Sequence, residues 1–235
     1  CEFFKTQIDF LGFTIAHNTL KPSIDKIKAI TQIKYPHNAK TLKRFIGMVS
    51  FHRHFIPSFS ELTANLNHLL KKNVKFDLND KCKENINKLK EILTSSPVLT
   101  MPREGVPYII KSDASDTGIG SVLSQLDENG KERVISYFSR ALSDTERRLS
   151  VFERELLAIV DSVTHHYSKF LINSEFIIFT DHLAILGYLA NRLDLGSARA
   201  IRSKIRLSQY SFKIVHIDGK KNITADFLSR IHEME

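Results

Sequence analysis

Cysteine is scarce in this 235-residue chain. There are two, Cys1 and Cys82, too few for a disulfide framework, and no Cys/His group has the spacing of a zinc site. An intracellular, reducing environment is the default reading of that usage. No run of about 18 apolar residues occurs, so no membrane-spanning helix is expected. The chain opens Cys1-Glu2-Phe3-Phe4, with neither a methionine nor the order of a signal peptide. Such a start is expected of a piece excised from something longer. Internal repeats and low-complexity tracts are also lacking.

What is present suffices for a folded protein. Hydrophobic residues make up 42% of the chain, enough for a buried core. The length exceeds the roughly 100–150 residues of one typical domain, so two units are expected. The net charge of +8 is unevenly spread: residues 1–104 hold 17 Lys+Arg against 9 Asp+Glu, and residues 105–235 hold 17 of each. A basic segment beside a neutral one suits a module gripping a phosphate backbone joined to one with an acidic site, although a merely solvated basic face has the same composition.

Residues 7–16 read as a strand pair, or one strand with a bulge near Gly12. A turn follows at Asn18, and Pro22-Ser23 opens a helix over 23–33 with Ile24, Ile27, Ala29 and Ile30 on its buried side. A second helix is predicted from Ala39 to His54, where Leu42, Phe45, Ile46 and Val49 make one apolar face. Further helices are expected at 58–71 and 78–95. The first hundred residues thus read as a strand followed by small basic helices. Beyond the boundary near Gly105 and Pro107, strands are predicted at 108–113, 118–126 and 133–139. A long helix follows at 144–167, with Phe152, Leu156, Ile159, Val160 and Val163 as its stripe. A buried strand at 175–180 comes next, then helices at 182–190 and 197–209, a strand at 211–217 and a helix at 223–231. Three antiparallel strands followed by alternating helices and strands predict a mixed α/β sheet with helices on its faces.

Four acids sit where a catalytic carboxylate is expected. Asp113 ends the first strand of the second half, Glu155 flanks the stripe of the long helix, Asp181 closes the buried strand, and Asp226 begins the last helix. Phosphodiester hydrolysis needs an activated water and neutralised charge on the leaving oxygen. Two divalent cations about 3.5–4 Å apart do both, and hard carboxylate oxygens hold them. Taken singly, an Asp at a strand end or helix start is commonly a cap, and a Glu on a helix flank is commonly solvated. Spacing alone does not bring the four together.

The strings around these acids carry a resemblance. Lys111-Ser-Asp-Ala-Ser-Asp-Thr-Gly-Ile-Gly-Ser-Val-Leu-Ser-Gln125, Ile135-Ser-Tyr-Phe-Ser-Arg-Ala-Leu142, Phe152-Glu-Arg-Glu-Leu-Leu-Ala-Ile-Val160, Thr180-Asp-His182 and Gly219-Lys-Lys-Asn-Ile-Thr-Ala-Asp-Phe-Leu-Ser-Arg230 follow one another as in the RNase H domains of gypsy-class LTR retrotransposon Pol polyproteins. The resemblance implies an RNase H-like mixed five-stranded sheet over 105–235 and two Mg²⁺ ions, with Mn²⁺ able to substitute. It also implies Asp113, Glu155, Asp181 and Asp226 as metal-binding, catalytic residues, with Glu153 a rival for the second place. The N-terminal part resembles what lies upstream in the same polyproteins. Residues 1–20 are similar to the end of the reverse transcriptase palm, and 21–104 to the mostly helical thumb and connection. Leu11, Gly12 and Phe13 would be primer-grip positions contacting nucleic acid; their plain reading is a strand with a glycine bulge.

The implied activity is hydrolysis of the RNA strand of RNA–DNA hybrids. The implied partners are that hybrid, template-primer, the upstream palm and fingers, and an integrase in the same polyprotein, with no membrane. The implied location is a cytoplasmic retroelement particle, with the nucleus as the alternative. Departures accompany the resemblance. A Tyr-x-Asp-Asp polymerase motif is absent, so this stretch alone is not expected to synthesise DNA, and Trp, frequent in the family before the last strand, is missing. The resemblance also offers His216, at the spacing from Asp226 seen in RNase H enzymes with a proton-shuttling histidine, yet a strand position suits a structural one better. His182 reads as packing or capping, and His165-His166 as surface charges. Two other readings compete: a decayed or domesticated remnant that only binds nucleic acid or a partner, and an integrase or resolvase of the same fold class. Intact acids argue against the first and the Glu-Leu-Leu-Ala-Ile and Ala-Asp-Phe-Leu-Ser-Arg strings against the second.

Overall fold

Two tight turns shape the start of the chain, because Leu11 and Gly12 (φ 49° and 85°) and then His17 and Asn18 (φ 44° and 59°) all take left-handed backbone. Positive φ at both central residues is the two-residue hairpin turn whose twist matches its strands. Strands β1 (Gln7–Phe10), β2 (Phe13–Ala16) and β3 (Thr19–Pro22) therefore pair antiparallel, Phe10 with Phe13 and Ala16 with Thr19. Of the two readings of residues 7–16, the strand pair holds, and Leu11-Gly12 is a complete turn rather than a bulge. β3 was not expected from the sequence: four residues ending in proline carry almost no strand signal, and the preceding turn creates it. In the computed structural model, which describes residues 5–95, 99–191 and 196–218, the chain divides into two units, residues 1–102 and 103–235.

In the first unit, helices α1 (Ile24–Thr31), α2 (Ala39–Ser50), α3 (Phe59–His68) and α4 (Asp80–Ser95) follow the three strands, and β4 (Leu99–Thr100) then pairs with β3. Asn38 starts α2 by accepting from the Thr41 amide at 2.9 Å, in a reciprocal capping box. The predicted face of α2 is buried at Leu42, Phe45 and Val49, against Ile30, Leu62, Leu66, Ile86 and Leu89. The buried side expected for α1 is corrected. Ile30 alone is buried there, while Ile24 is 65% exposed and Ala29 is also exposed, since this short helix meets the core only at its C-terminal end.

The second unit is a mixed sheet. Strands β5 (Tyr108–Ala114), β6 (Gly118–Leu126) and β7 (Glu132–Ala141) form an antiparallel meander. Helix α5 (Val151–Asp161) continues through a π-helical turn (Ser162–His166) to the short α6 (Ser168–Leu171). Strand β8 (Phe176–Thr180) runs parallel to β5, helices α7 (Leu183–Ala190) and α8 (Ala198–Leu207) follow, and β9 (Phe212–His216) runs parallel to β8. The order β7-β6-β5-β8-β9 is the predicted mixed architecture, with α5 and the π-turn packed on it through Leu156, Ile159 and Val163 against Ile110, Leu123 and Ile178.

The long helix departs from its predicted limits. It begins at Val151 because Ser150 and Glu153 form a capping box, and Glu146 upstream turns back to Arg140 and the Ser143 amide in a separate 3₁₀ turn. At its other end the Ser162 hydroxyl bonds that of Ser121 at 2.7 Å. Tyr167, fully buried, donates to the Ser121 carbonyl at 3.0 Å, so the extra residue of the π-turn lies beside a buried polar network. The helix predicted at 223–231 lies outside the described residues.

Candidate metal centre

Parallel pairing of β5 and β8 sets Lys111 opposite Phe179, and two residues further along each chain stand Asp113 and Asp181. Neighbouring parallel strands lie about 4.8 Å apart, so acids at matching positions are brought close by the sheet itself. Glu155, on the second turn of α5, is the third member. Its Oε1 accepts from the Ala114 amide at 3.3 Å, which ties the helix to the end of β5. Oxygens of Asp113, Glu155 and Asp181 all lie within 4.8 Å of one another.

The surroundings make this cluster electrostatically costly. Asp113 is 2% exposed and Glu155 6%. Burial first, then the carboxylates of Asp113 and Asp181, holds the Glu155 carboxyl well above the usual range. Three carboxyl groups this close cannot all ionise cheaply without a compensating cation. The donor set is all oxygen and acidic, which suits a hard divalent ion such as Mg²⁺ and does not suit a soft metal. Arg154 pairs instead with Asp116, and also donates to the Ser115 carbonyl at 3.4 Å, pinning the turn beyond β5.

Other predicted residues are placed as follows. Glu153, the rival for the second acid, is engaged elsewhere: it caps its own helix and accepts from the Ser197 hydroxyl at 2.8 Å. Asp226 lies outside the described residues. His216 is the exposed last residue of β9, paired in register with Thr180 beside Asp181. His182 is the N-cap residue of α7 and meets Phe152 edge-on at 5.9 Å, in keeping with a packing residue. His165, 65% exposed, lies 3.4 Å from Asp161, whereas His166 is stacked on Phe138 at 4.4 Å. His166 is thus partly covered rather than a free surface charge, because the π-turn rotates it onto the sheet.

In the first unit, Leu11 is 73% exposed at the tip of the first hairpin, while Phe13 is stacked on Phe51 at 5.0 Å and on Phe55 at 5.9 Å. Gly12 could not carry a side chain without strain, since its φ is +85° and a Cβ would meet the Phe51 ring at 3.3 Å. Of the three primer-grip candidates, Phe13 packs inward, Gly12 is half-buried against Phe51, and Leu11 faces outward.

Sequence reasoning missed the burial of Glu155. The available signal was its phase: Phe152, Glu155, Leu156 and Ile159 share the i, i+3, i+4, i+7 rhythm, so the acid interrupts an apolar face rather than flanking it.

Known proteins resemble this chain in sequence and in fold. Residues 78–178 match the RNase H-like domain found in reverse transcriptase. The Tf2-3 and Tf2-4 transposon polyproteins of Schizosaccharomyces pombe are each 36% identical over 233 residues, which is 98% of this chain and 17% of theirs. The chain therefore spans about one sixth of the length of these relatives, 17%. The foamy viral protease-reverse transcriptase in complex with dsDNA superposes with a TM-score of 0.74 at 18% identity, covering 91% of this chain and 45% of that one. The same viral protein in complex with RNA/DNA hybrid gives 0.74 at 17% identity, covering 91% and 29%. At such identities the likeness is one of fold. From the sequence match and the shared fold together, the chain belongs to the gypsy-class LTR retrotransposon Pol polyproteins, in the stretch that includes the RNase H-like domain of reverse transcriptase.

Proposed function

We propose that the second unit is a Mg²⁺-dependent ribonuclease that hydrolyses the RNA strand of RNA–DNA hybrids, acting as part of a reverse transcriptase. The observation that carries this reading is the convergence of Asp113, Glu155 and Asp181 from the ends of β5 and β8 and from α5. These three residues, with Asp226 added by the family resemblance, would hold the metal ions. Bound Mg²⁺ supplies an activated water and neutralises charge on the leaving oxygen. The chain's own contribution is to aim the oxygens. β5 and β8 fix two of them through a hydrogen-bonded sheet, and the Ala114 amide orients Glu155. An inactive remnant would need no such cluster, whose mutual repulsion lowers stability unless a cation offsets it.

The first unit is read as the end of the palm, residues 1–20, followed by thumb and connection, residues 21–104. There the turn at Leu11 and Gly12, with Leu11 exposed, would contact template-primer. The foamy viral relative has been seen in complex with dsDNA and with RNA/DNA hybrid, which supports a duplex partner here.

Incubating the chain with a labelled hybrid, and separately with single-stranded RNA and duplex DNA, tests the proposal. Cleavage of hybrid RNA in Mg²⁺ and its loss on adding a chelator are expected. Equal cutting with chelator present, or no preference for the hybrid, would rule it out.

A further inference from the structure

Charge summed over 105–235 is zero, but the sum hides a local excess. Residues 196–217 contain Arg199, Arg202, Lys204, Arg206 and Lys213 and not one acid. Four of these five cations lie on α8, a helix of 10 residues. At 100° per residue, Arg199, Arg202 and Arg206 fall within about 60° of the circumference, turned about 80–160° from the buried Ala200 and Leu207. All three are exposed. Lys204 points elsewhere: it donates to the Asn191 carbonyl at 2.6 Å and lies over the Tyr188 ring.

The arginine stripe also has a fixed place. The Ser197 hydroxyl caps α8 through the Ala200 amide and at the same time bonds Glu153 of α5 at 2.8 Å. Glu153 is two residues from Glu155 along α5 and about 200° from it round the axis, so α8 starts at the end of α5 that carries the carboxylate cluster, on another face of that helix. Between the two helices runs a groove of 120 Å³ lined by Leu156 and Val160 on one side and the three arginines on the other. Glu153 is the single acid lining it, and that carboxylate already serves Ser150 and Ser197. Among the described residues, no salt bridge engages Arg202 or Arg206.

We propose that the α8 stripe of Arg199, Arg202 and Arg206 is a second docking surface for the phosphate backbone of the hybrid duplex, beside the metal centre and separate from it. Three residues spaced three and four apart rise about 10 Å along the helix, and a nucleic-acid strand presents one phosphate per about 3.4 Å of its axis, so the stripe spans about three phosphates. Guanidinium groups suit this task, since each offers a planar fork to phosphate oxygens and stays charged. The inference rests on the nucleic-acid reading above and adds where the second unit holds its duplex.

Binding of a fluorescein-labelled 18-base-pair RNA–DNA hybrid to the full chain, measured by anisotropy in chelator over a series of KCl concentrations, tests it. The variant R199Q/R202Q/R206Q is expected to bind at least tenfold more weakly at 100 mM KCl. Its log–log salt slope should be shallower by about 2–3, at about 0.9 for each phosphate no longer neutralised. R199K/R202K/R206K keeps the charge and should keep the slope, which separates charge from folding. An unchanged slope in the glutamine variant overturns the proposal. So does a variant that loses a poly-glutamate probe while holding the hybrid as before, which would mark the stripe as a site for acidic protein. Since chelator removes cleavage from the measurement, a chain that binds through α8 and never cuts refutes only the nuclease reading. One that cuts with an unaltered slope refutes only this surface.

Discussion

Among single residues, Asp113 bears on both the proposed chemistry and stability. It is 2% exposed within 4.8 Å of two other carboxylates, so it repels its neighbours whenever no cation is bound. Asp113→Asn keeps the shape and removes one charge. Hybrid cleavage by this variant should fall by at least about 100-fold, because one of the carboxylates that would hold the metal is removed. The metal-free variant should unfold at a higher temperature than the metal-free parent, by the equivalent of about 1 kcal/mol from relieved repulsion. Wild-type turnover in Asp113→Asn would refute the metal assignment, and a lower melting temperature would refute the account of repulsion. Glu153 and Glu155 make the complementary point. Two acids two residues apart on one helix do different work, one capping an end and one buried against β5, and only helical phase tells them apart.

Among the elements, β7 is joined to helix α5 through Arg140. This residue donates to Glu146 at 2.9 Å and also pairs with Asp161 at the end of α5. The Arg140 guanidinium, with the Ser143 amide and hydroxyl, holds the Glu146 carboxyl down at about 2. A depressed carboxylate stabilises the fold fully above its unfolded value near 4.5, and that contribution is lost as pH falls towards 2. A shift of this size corresponds to about 3 kcal/mol, which partial exposure to water reduces to about 1–2 kcal/mol. Comparing unfolding midpoints of the parent and Glu146→Gln from pH 6 to 2 should therefore reveal a gap at pH 6 that closes near pH 2. A gap that is constant with pH would leave the pair without this role. α5 and α8 were legible as helices from apolar rhythm and caps, and Ser197 indeed starts α8. The start of α5 at Val151 was not legible, because Glu146 could equally have begun a helix until Arg140, six residues upstream, claimed it.

Across the full chain, the division into residues 1–102 and 103–235 follows separate cores, one around Phe45 and Leu89 and another around Ile110 and Ile159. Residues 103–235 made alone should fold, as circular dichroism would reveal. Removing the first unit should also flatten the salt dependence of hybrid binding, since residues 1–104 hold 17 Lys+Arg against 9 Asp+Glu. Some slope should persist, carried by α8. A truncated chain with the slope of the full one would deny the first unit any part in gripping a backbone.

Composition, rhythm and turn residues were enough to establish that this chain has two units, that the second alternates helix and strand on a mixed sheet, and that Asp113 and Asp181 stand at strand ends with Glu155 on the long helix. Local preference suffices for that, because apolar periodicity and capping act over a few residues. Only the folded arrangement settled that Asp113, Glu155 and Asp181 meet, since they are separated by 42 and 26 positions and it takes the parallel register of β5 with β8 and the seat of α5 on the sheet to bring them within 4.8 Å. It likewise settled, among the described residues, which cations of a neutral half share one side of a helix. A sum over residues has no direction, whereas α8 turns three arginines to one side and leaves Glu153 occupied with its caps.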